Sequence, residues 1–412
     1  MEQLAVFLQT PPSWLDQSFF EKVIKKHEND PDGQVIDFKV VPGSQIGDNF
    51  ASAVFRCSIT YKSKYTKEPK VLSTFIKVQP QFPPEMSHFQ NVTLFTNEIE
   101  MFSKVLPEIQ SLWTSINDKD ILCPQLIYQS TDPALVLILK DVSGDGFAIT
   151  QKPPEDYEVS KRIFRRLAKY HASTFFLANE KKYNFEHFNF TMIKNPMMHG
   201  MFSQIFNAFC ENAKAWDGFE KFIPHLENFK KDLIEKTGKV FTANTGEFSF
   251  NILNHADFHL KNILFKNKSD GSMEDFYIID YQLCFYGTPA IDLIYALYYF
   301  VTPQNRLKYR AELIALYYEE FADSLKKFGY LKAPPSLIDL QVELLRNGSF
   351  EVVLAICMSI FFFIDFGKLR EMGIDFIPSA PGEGMKKIFN IVAGFKDNIL
   401  QELPRWCYNG FI

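Results

Sequence analysis

The chain has 412 residues, a formal net charge of −5 and an apolar fraction of 46%. This length predicts two or three structural units. The dispersed basic residues and the slightly negative charge exclude a nucleic-acid-binding stripe. The six cysteines form no CxxC pair, which favours reduced thiols over a disulfide framework. We therefore expect a globular protein of the cytoplasm.

Two apolar segments bear on membrane association. The N-terminal segment lacks the basic region of a signal peptide, and its short apolar run ends at Pro11 and Pro12. The longest apolar run, residues 352–364, is about a dozen residues long and so is too short to cross a bilayer core of roughly 30 Å. We expect a buried core helix there and no membrane span.

The first third of the chain predicts one helix followed by antiparallel strands. Apolar side chains recur at helical spacing over residues 12–26. Residues 35–41, 53–61 and 71–78 alternate apolar with polar side chains, which is typical of half-buried antiparallel strands. The strongly apolar run 135–139 predicts a further strand.

The remaining predicted elements are mostly helices. They are expected at residues 94–102, 156–179, 192–209, 290–300, 306–328, 337–346, 349–366 and 386–403. His171 is interpreted as a core histidine with satisfied hydrogen bonds. Asp292, near a helix N-terminus where a carboxylate is favoured by the helix dipole, is interpreted as a structural brace.

One stretch of the chain concentrates reactive residue types. Asp270-Gly271 lies between two apolar runs, which predicts a hairpin with strands at 263–265 and 276–279. Such a hairpin would bring Asn262, before the outgoing strand, beside Asp280, after the returning one. Asp257 lies on the loop that leads in. Two carboxylates and one carboxamide form a hard-oxygen site suited to Mg²⁺.

Two other interpretations of this stretch were weighed. A single His-x-Asp, or a single Asn or Asp beside a hairpin, is common without any catalytic role. A metal hydrolase could instead use His255, Asp257 and His259 as ligands, but such sites need further ligands, and no histidine follows His259 in the chain.

The order HxDxxxxN, followed by an apolar strand that ends in Asp, resembles the catalytic and metal loops of the protein-kinase-like superfamily. Asp280-Tyr281-Gln282 in place of Asp-Phe-Gly, together with residues 47–52, is most similar to the insect ecdysteroid kinase-like family of the choline and aminoglycoside kinase branch. The resemblance implies an α+β, bilobal protein-kinase-like fold. Its N-lobe, a small antiparallel sheet, would span residues 1–139 and its mainly helical C-lobe residues 140–412, with the family core at about 135–330 and ATP in the cleft.

The resemblance also implies a role for each residue of the motif. Phosphoryl transfer depends mainly on positioning and on neutralising charge. Asp257 would be the catalytic base and His255 would brace its loop. Asn262 and Asp280 would hold Mg²⁺.

The same resemblance implies the residues that bind ATP. Lys77, on the third strand, would contact the phosphates and pair with Glu98 of the next helix, with Glu100 as the alternative partner. The remaining residues implied are Gly47, Asn49 and Ser52 at the phosphates, Leu139 and Asp141 at the adenine, and Gln282 in orienting the metal loop.

The function implied is an ATP-dependent small-molecule kinase that phosphorylates an alcohol, with an ecdysteroid or another hydrophobic metabolite as the leading acceptor. The Met- and Phe-rich segment 192–209 would either pack as an ordinary helix or line an apolar acceptor pocket. The alternative is a catalytically silent kinase-fold module that binds an apolar hormone or xenobiotic.

Ala256 stands where the motif more often has Gly, which costs little unless φ is positive there. The oligomeric state stays open.

Overall fold

This computed structural model describes residues 8–43, 52–80, 92–150, 152–245, 250–362 and 382–412, with a few isolated positions between 364 and 373. Gly47 and Asn49, two of the predicted phosphate-binding residues, lie outside the described residues.

The chain forms two compact units, and neither is continuous in sequence. The first unit comprises residues 1–149 and 263–282, and the second comprises residues 150–262 and 283–412. The lobes predicted from the sequence follow chain order and divide at residue 139. The hairpin of the reactive stretch belongs to the first compact unit, and the lobe boundaries stay a prediction.

The first unit contains a five-stranded antiparallel sheet with the order β1-β2-β3-β5-β4. Its strands are β1 (Gln34–Pro42), β2 (Ala53–Lys62), β3 (Lys70–Val78), β4 (Leu126–Ser130) and β5 (Val136–Lys140). Four of them were predicted, within two residues at each end. Strand β4 was not predicted because four of its five residues are half-buried and give no alternation.

One face of this sheet is covered by helix α1 (Gln17–His27). Phe20 and Val23 of α1 are fully buried in one apolar cluster with Phe55 and Ile76 of the sheet. The helix begins at Gln17, so the predicted start at residue 12 is wrong. Asp16 caps it, because its carboxylate accepts a hydrogen bond from the Phe19 N–H at 2.8 Å.

The predicted hairpin is confirmed. Strand β8 (Ile263–Asn267) pairs with β9 (Met273–Ile278), and Ile263 lies opposite Ile278. Strand β6 (Phe147–Ile149) pairs with the other edge of β8. Gly271 has a φ of 83°, a left-handed conformation that glycine adopts at no steric cost.

A long helical segment of the first unit changes its winding along its length. It consists of helix α2 (Val92–Glu100), a π-helical turn (Met101–Val105) and helix α3 (Leu106–Ser115). The predicted helix at 94–102 therefore covers only its beginning. Such π-helical turns inside helices are often found next to functional sites.

The second unit is mainly helical and also contains one short antiparallel pair. That pair is β7 (Ile252–Asn254) with β10 (Phe285–Gly287). The helices are α4 (Tyr157–Asn179), α5 (Pro196–Ala213), α6 (Ile223–Val240), α7 (Ala290–Tyr299), α8 (Pro303–Lys327), α9 (Leu337–Arg346), α10 (Gly348–Val353), α11 (Gly382–Ile391) and α12 (Phe395–Tyr408). The predicted α+β, protein-kinase-like fold, with a small antiparallel sheet followed by a mainly helical region, is confirmed.

The predictions for this unit differ from the structure in several places. Helix α6 was not predicted. The single helix predicted at 386–403 is wrong, because Gly394, with a φ of 74°, separates α11 from α12.

Within the described residues, no single helix is long and apolar enough to cross a membrane. Leu337–Arg346 and Gly348–Phe361 pass that test only as a pair, and the pair is bent by 56°.

A buried network of charges fixes the C-terminal helix of the second unit. Glu351, 1% exposed, accepts hydrogen bonds from Arg310 of α8 at 2.8 and 2.9 Å, and also from Arg405 of α12. Arg306 of α8 donates to Glu402 of α12 at 2.7 Å. Burial alone would raise the pKa of Glu351, but Arg310 and Arg405 outweigh it and lower that pKa to about 2.

We expect Glu351→Gln to lower the free energy of unfolding by about 3 kcal/mol at pH 7, because Arg310 and Arg405 each lose one buried carboxylate partner. The carboxylate stabilises the native state fully above about pH 4.5, where it is ionised in both states. That contribution is lost as the pH falls towards 2. Denaturant unfolding at several pH values measures both effects.

The matched control is Glu319→Gln, at an exposed position on α8. It should change the free energy of unfolding by less than about 0.5 kcal/mol. A loss of equal size in the two variants would show that the buried carboxylate of Glu351 contributes no more to the free energy of unfolding than an exposed carboxylate does.

Candidate active site

A buried lysine of the first unit lies between two carboxylates. The Lys77 Nζ on β3 is 2.7 Å from Oε1 of Glu98 on α2 and 3.0 Å from Oδ1 of Asp280. Lys77 is 8% exposed and Glu98 1% exposed. The predicted contact between Lys77 and Glu98 is thus present. The alternative partner, Glu100, is instead 3.9 Å from Lys104.

The protonation of this cluster follows from its burial and its charges. Burial would lower the pKa of Lys77, but Asp280 and Glu98 outweigh it, so that the pKa is raised and the ammonium form is stabilised. Burial raises the pKa of Glu98 to about 7, against the lowering effect of Lys77. The Glu98 carboxylate also accepts a hydrogen bond from the Tyr281 backbone N–H.

Local backbone conformation aims Asp280 at this lysine. Asp280 lies two residues after the end of β9, the returning strand of the hairpin, and has a φ of 66°, which is uncommon for a residue other than glycine. Tyr281, the next residue, is fully buried, and its ring packs edge-on against Phe102 with centroids 5.7 Å apart. Phe102 lies in the π-helical turn, so this turn anchors the residue after Asp280.

The predicted base, Asp257, lies on a tightly bonded loop of the second unit. Its Oδ2 accepts a hydrogen bond from the Asn262 Nδ2 at 3.0 Å, and its Oδ1 is 3.2 Å from the His259 Nε2. Asn262 also donates to the Asp257 backbone carbonyl at 2.9 Å. Burial would raise the pKa of Asp257, but His259, His255 and Asn262 outweigh it and lower that pKa.

Asp292 braces this loop, as predicted. Its carboxylate accepts the backbone N–H groups of His255 at 2.6 Å and of Ala256 at 2.8 Å. The Asp292 backbone N–H donates to Oδ1 of Asn254 at 3.3 Å. The loop before Asp257 is therefore tied to the first turn of α7. His255 is 1% exposed, which agrees with the predicted bracing role and leaves its role in catalysis a prediction.

His171 of α4 completes this brace. Its Nε2 is 3.1 Å from Oδ2 of Asp292, and its Nδ1 is 2.7 Å from the hydroxyl of Tyr317 on α8. Burial lowers the pKa of His171 more than Asp292 raises it, so the neutral imidazole is favoured. The prediction of a satisfied core histidine is confirmed.

The residues expected at the adenine already pair with strands or form hydrogen bonds within the first unit. Leu139 lies in β5 between Phe75 and Leu126. The Asp141 backbone N–H donates to the Ser73 carbonyl at 3.0 Å, and its carboxylate accepts from Arg56. The N–H of Asp141 is therefore not available to adenine in this state, and its role there stays a prediction.

The remaining predicted residues have less defined surroundings. Ser52 is 7% exposed directly before β2, and Gln282 is half-buried directly after Tyr281. Their proposed contacts with phosphate and with the metal loop stay predictions. In the Met- and Phe-rich segment, Phe202, Phe206 and Phe209 are core residues, each no more than 1% exposed.

Sequence reasoning did not identify two of these contacts. His259 was weighed only as a metal ligand, although its position two residues after Asp257 could have suggested a contact with that carboxylate. Arg56 and Asp141 are far apart in sequence, and no local signal links them.

The model of the Ecdysteroid kinase-like family matches residues 46–330. No curated protein matches the sequence. Among solved structures, a spectinomycin phosphotransferase in complex with ADP and spectinomycin is 12% identical, with a TM-score of 0.42 and coverage of 94% of this chain and 99% of that one. An ethanolamine kinase of Plasmodium vivax is 11% identical, with a TM-score of 0.35 and coverage of 88% and 83%.

Ala256 gives a direct test of strain in the catalytic loop. Its φ is 60°, and a positive φ is the condition under which alanine costs more free energy than glycine at this position. We expect Ala256→Gly to raise the free energy of unfolding by roughly 0.5–1 kcal/mol, because relief of strain exceeds the added chain entropy. Ala311→Gly, at an exposed position within α8, should lower it by about 1 kcal/mol. Destabilisation by both changes would contradict the strain at Ala256.

Proposed function

This chain belongs to the Ecdysteroid kinase-like family, whose model matches more than half of its length, and we propose that it transfers the γ-phosphoryl group of ATP to the hydroxyl of a small-molecule alcohol. In this proposal the Lys77 cluster serves the nucleotide and Asp257 serves the acceptor. We propose a hydrophobic alcohol, such as an ecdysteroid, as the acceptor.

The observation that carries the proposal is the state of Asp257. Its two carboxylate oxygens are held by Asn262 and His259, and the loop before it is bonded to Asp292. A lowered pKa keeps the carboxylate ionised at neutral pH, so it is able to accept a proton. A preorganised carboxylate base on a rigid loop suits phosphoryl transfer to an alcohol, where positioning contributes most of the rate.

The proposed metal ligands have suitable donor atoms. Asn262 uses its amide nitrogen on Asp257, which directs its carbonyl oxygen to other partners. Asp280 meets Lys77 through Oδ1 and has a second carboxylate oxygen. The described residues include no cluster of three or more His, Cys, Asp or Glu that could hold a metal. Mg²⁺ in nucleotide sites usually takes only one or two protein carboxylates and completes its shell with phosphates and water, so these residues fit it.

Each of these side chains has a separate role in the proposed reaction. Lys77, oriented by Glu98, would donate hydrogen bonds to the nucleotide phosphates. Asp257 would accept the proton of the acceptor hydroxyl as the hydroxyl oxygen attacks the γ-phosphorus, and the bond between the γ-phosphorus and the bridging oxygen would break to release ADP. A bound Mg²⁺ would supply neutralisation of the negative charge on the phosphates. Asp292 and His171 would keep the loop fixed while the proton moves.

The acceptor class is supported by residues on and next to α5. Met192, Met198 and Met201 are half-buried, in contrast to the fully buried phenylalanines of the same segment. Methionine side chains adapt to irregular apolar surfaces, so the three could contact a hydrophobic acceptor. The family description adds ecdysteroids as the first alcohols to test.

The proposal is tested by ATP consumption with a panel of steroids, choline, ethanolamine and phenolic or glycosidic xenobiotics. We expect turnover of at least one alcohol, and a loss of about 10²–10⁴-fold in kcat for Asp257→Asn, which cannot accept the proton. Asp232→Asn, at an exposed position on α6, is the control and should keep full activity.

Full activity of Asp257→Asn would remove Asp257 as the base. The absence of turnover with every alcohol, together with acceptor binding that does not change in Asp257→Asn, would favour the alternative of a silent binding module.

Nucleotide binding has a separate test that needs no acceptor. We expect Mg-ATP at about 100 times its Kd to stabilise the wild-type chain by about 2.7 kcal/mol in thermal unfolding. Lys77→Met should lose most of this stabilisation because the phosphates lose their ammonium partner. Lys70→Met, at the exposed start of the same strand, should keep it. Equal stabilisation of the two variants would exclude a phosphate-binding role for Lys77.

A further inference from the structure

We propose that His259 is a positioning residue that holds the Asp257 carboxylate in the orientation needed for proton acceptance. This inference rests on the proposed function, because it assigns to Asp257 the role of base. It gives His259 a role that differs from metal coordination and from ordinary core packing.

Asp257 is contacted at both of its carboxylate oxygens. The His259 Nε2 is 3.2 Å from Oδ1, and the Asn262 Nδ2 is 3.0 Å from Oδ2. The terminal torsion of an aspartate is broad and roughly two-fold. A carboxylate held at one oxygen can therefore still turn about that torsion, whereas a carboxylate held at both oxygens cannot. Asn262 alone would leave Oδ1 without this restraint.

His259 is itself held in place by neighbouring groups. Its backbone N–H donates to the Asp257 carbonyl at 3.0 Å, and its own carbonyl accepts the Asn262 N–H at 2.9 Å. Its ring lies edge-on to Tyr299 of α7, with centroids 6.0 Å apart. With a side chain 13% exposed, His259 is a partly buried support that connects the base to α7.

The orientation of the Asp257 carboxylate affects the rate of the proposed reaction. The base must meet one hydroxyl proton within hydrogen-bond distance, and a misplacement of about 1 Å costs on the order of 10²-fold in rate. Asn262 is also a proposed metal ligand, so its amide would serve two partners during turnover. His259 is not a proposed metal ligand, so its contact with Asp257 would not be shared with a metal.

The test compares His259→Leu with His259→Gln, and it measures hydrolysis of Mg-ATP by water without any organic acceptor. Leucine has a comparable apolar volume but no N–H. Glutamine can present an amide N–H near the position of the imidazole Nε2. We expect kcat to fall by roughly 10–100-fold in His259→Leu and to recover most of that loss in His259→Gln. The KM for ATP should stay within about two-fold in both variants, because the Lys77 cluster is untouched.

Two controls separate positioning from a general structural defect. His225→Leu makes the same change at an exposed position on α6 and should leave kcat unchanged. In an Asp257→Asn background, His259→Leu should cause no additional loss, because a residue that acts through Asp257 has nothing left to position. An additional loss of the full 10–100-fold would overturn the proposal, as would unchanged kcat in His259→Leu.

The outcome for His259 can be told apart from the outcome for the proposed function. Equal hydrolysis by the wild type and Asp257→Asn would remove the base assignment itself. A crystal structure of His259→Leu then decides the geometry independently of any turnover. A carboxylate of Asp257 turned away from its present orientation supports the positioning role, and one that keeps its place overturns it.

Discussion

The candidate active site of the second unit depends on one buried carboxylate. Asp292 is fully buried, and such a group is costly to bury unless its oxygens are hydrogen-bonded. The N–H groups of His255 and Ala256 meet that requirement, together with His171. The same bonds fix two consecutive peptide groups directly before Asp257. Satisfying one buried charge therefore also determines where the base lies.

Contacts with buried side chains help the chain keep two unfavourable backbone conformations. Ala256 and Asp280 both have positive φ, at a cost of about 1–2 kcal/mol for residues other than glycine. Each is held by contacts of its own. The Ala256 N–H is bonded to Asp292, and the Asp280 carboxylate is bonded to Lys77. Strain of this kind persists only where the surroundings impose it, and here it directs the side chains of Asp257 and Asp280.

The sequence predicted those features whose signal is local. Asp270-Gly271 between two apolar runs was sufficient for the hairpin, and alternation was sufficient for four strands of the sheet. The contact of Lys77 with Glu98 came from the resemblance. Contacts between distant residues had no such signal. Arg56 with Asp141 and the network around Glu351 join elements far apart in sequence, so only the folded chain brings them together.

The charges around Lys77 also bear on the form of nucleotide that the proposed kinase would bind. One ammonium faces two carboxylates, Glu98 and Asp280, so the cluster is net negative when both are ionised. Free ATP, which is strongly anionic, would meet repulsion there in a poorly solvated site. A divalent cation beside Asp280 would reverse the balance, because it neutralises that carboxylate and attracts the phosphates. Lys77, released from Asp280 but still held by Glu98, could then donate to the phosphates. In the proposed kinase the cluster would therefore favour the metal complex of the nucleotide over the free nucleotide, and Glu98 would keep the lysine oriented in both states.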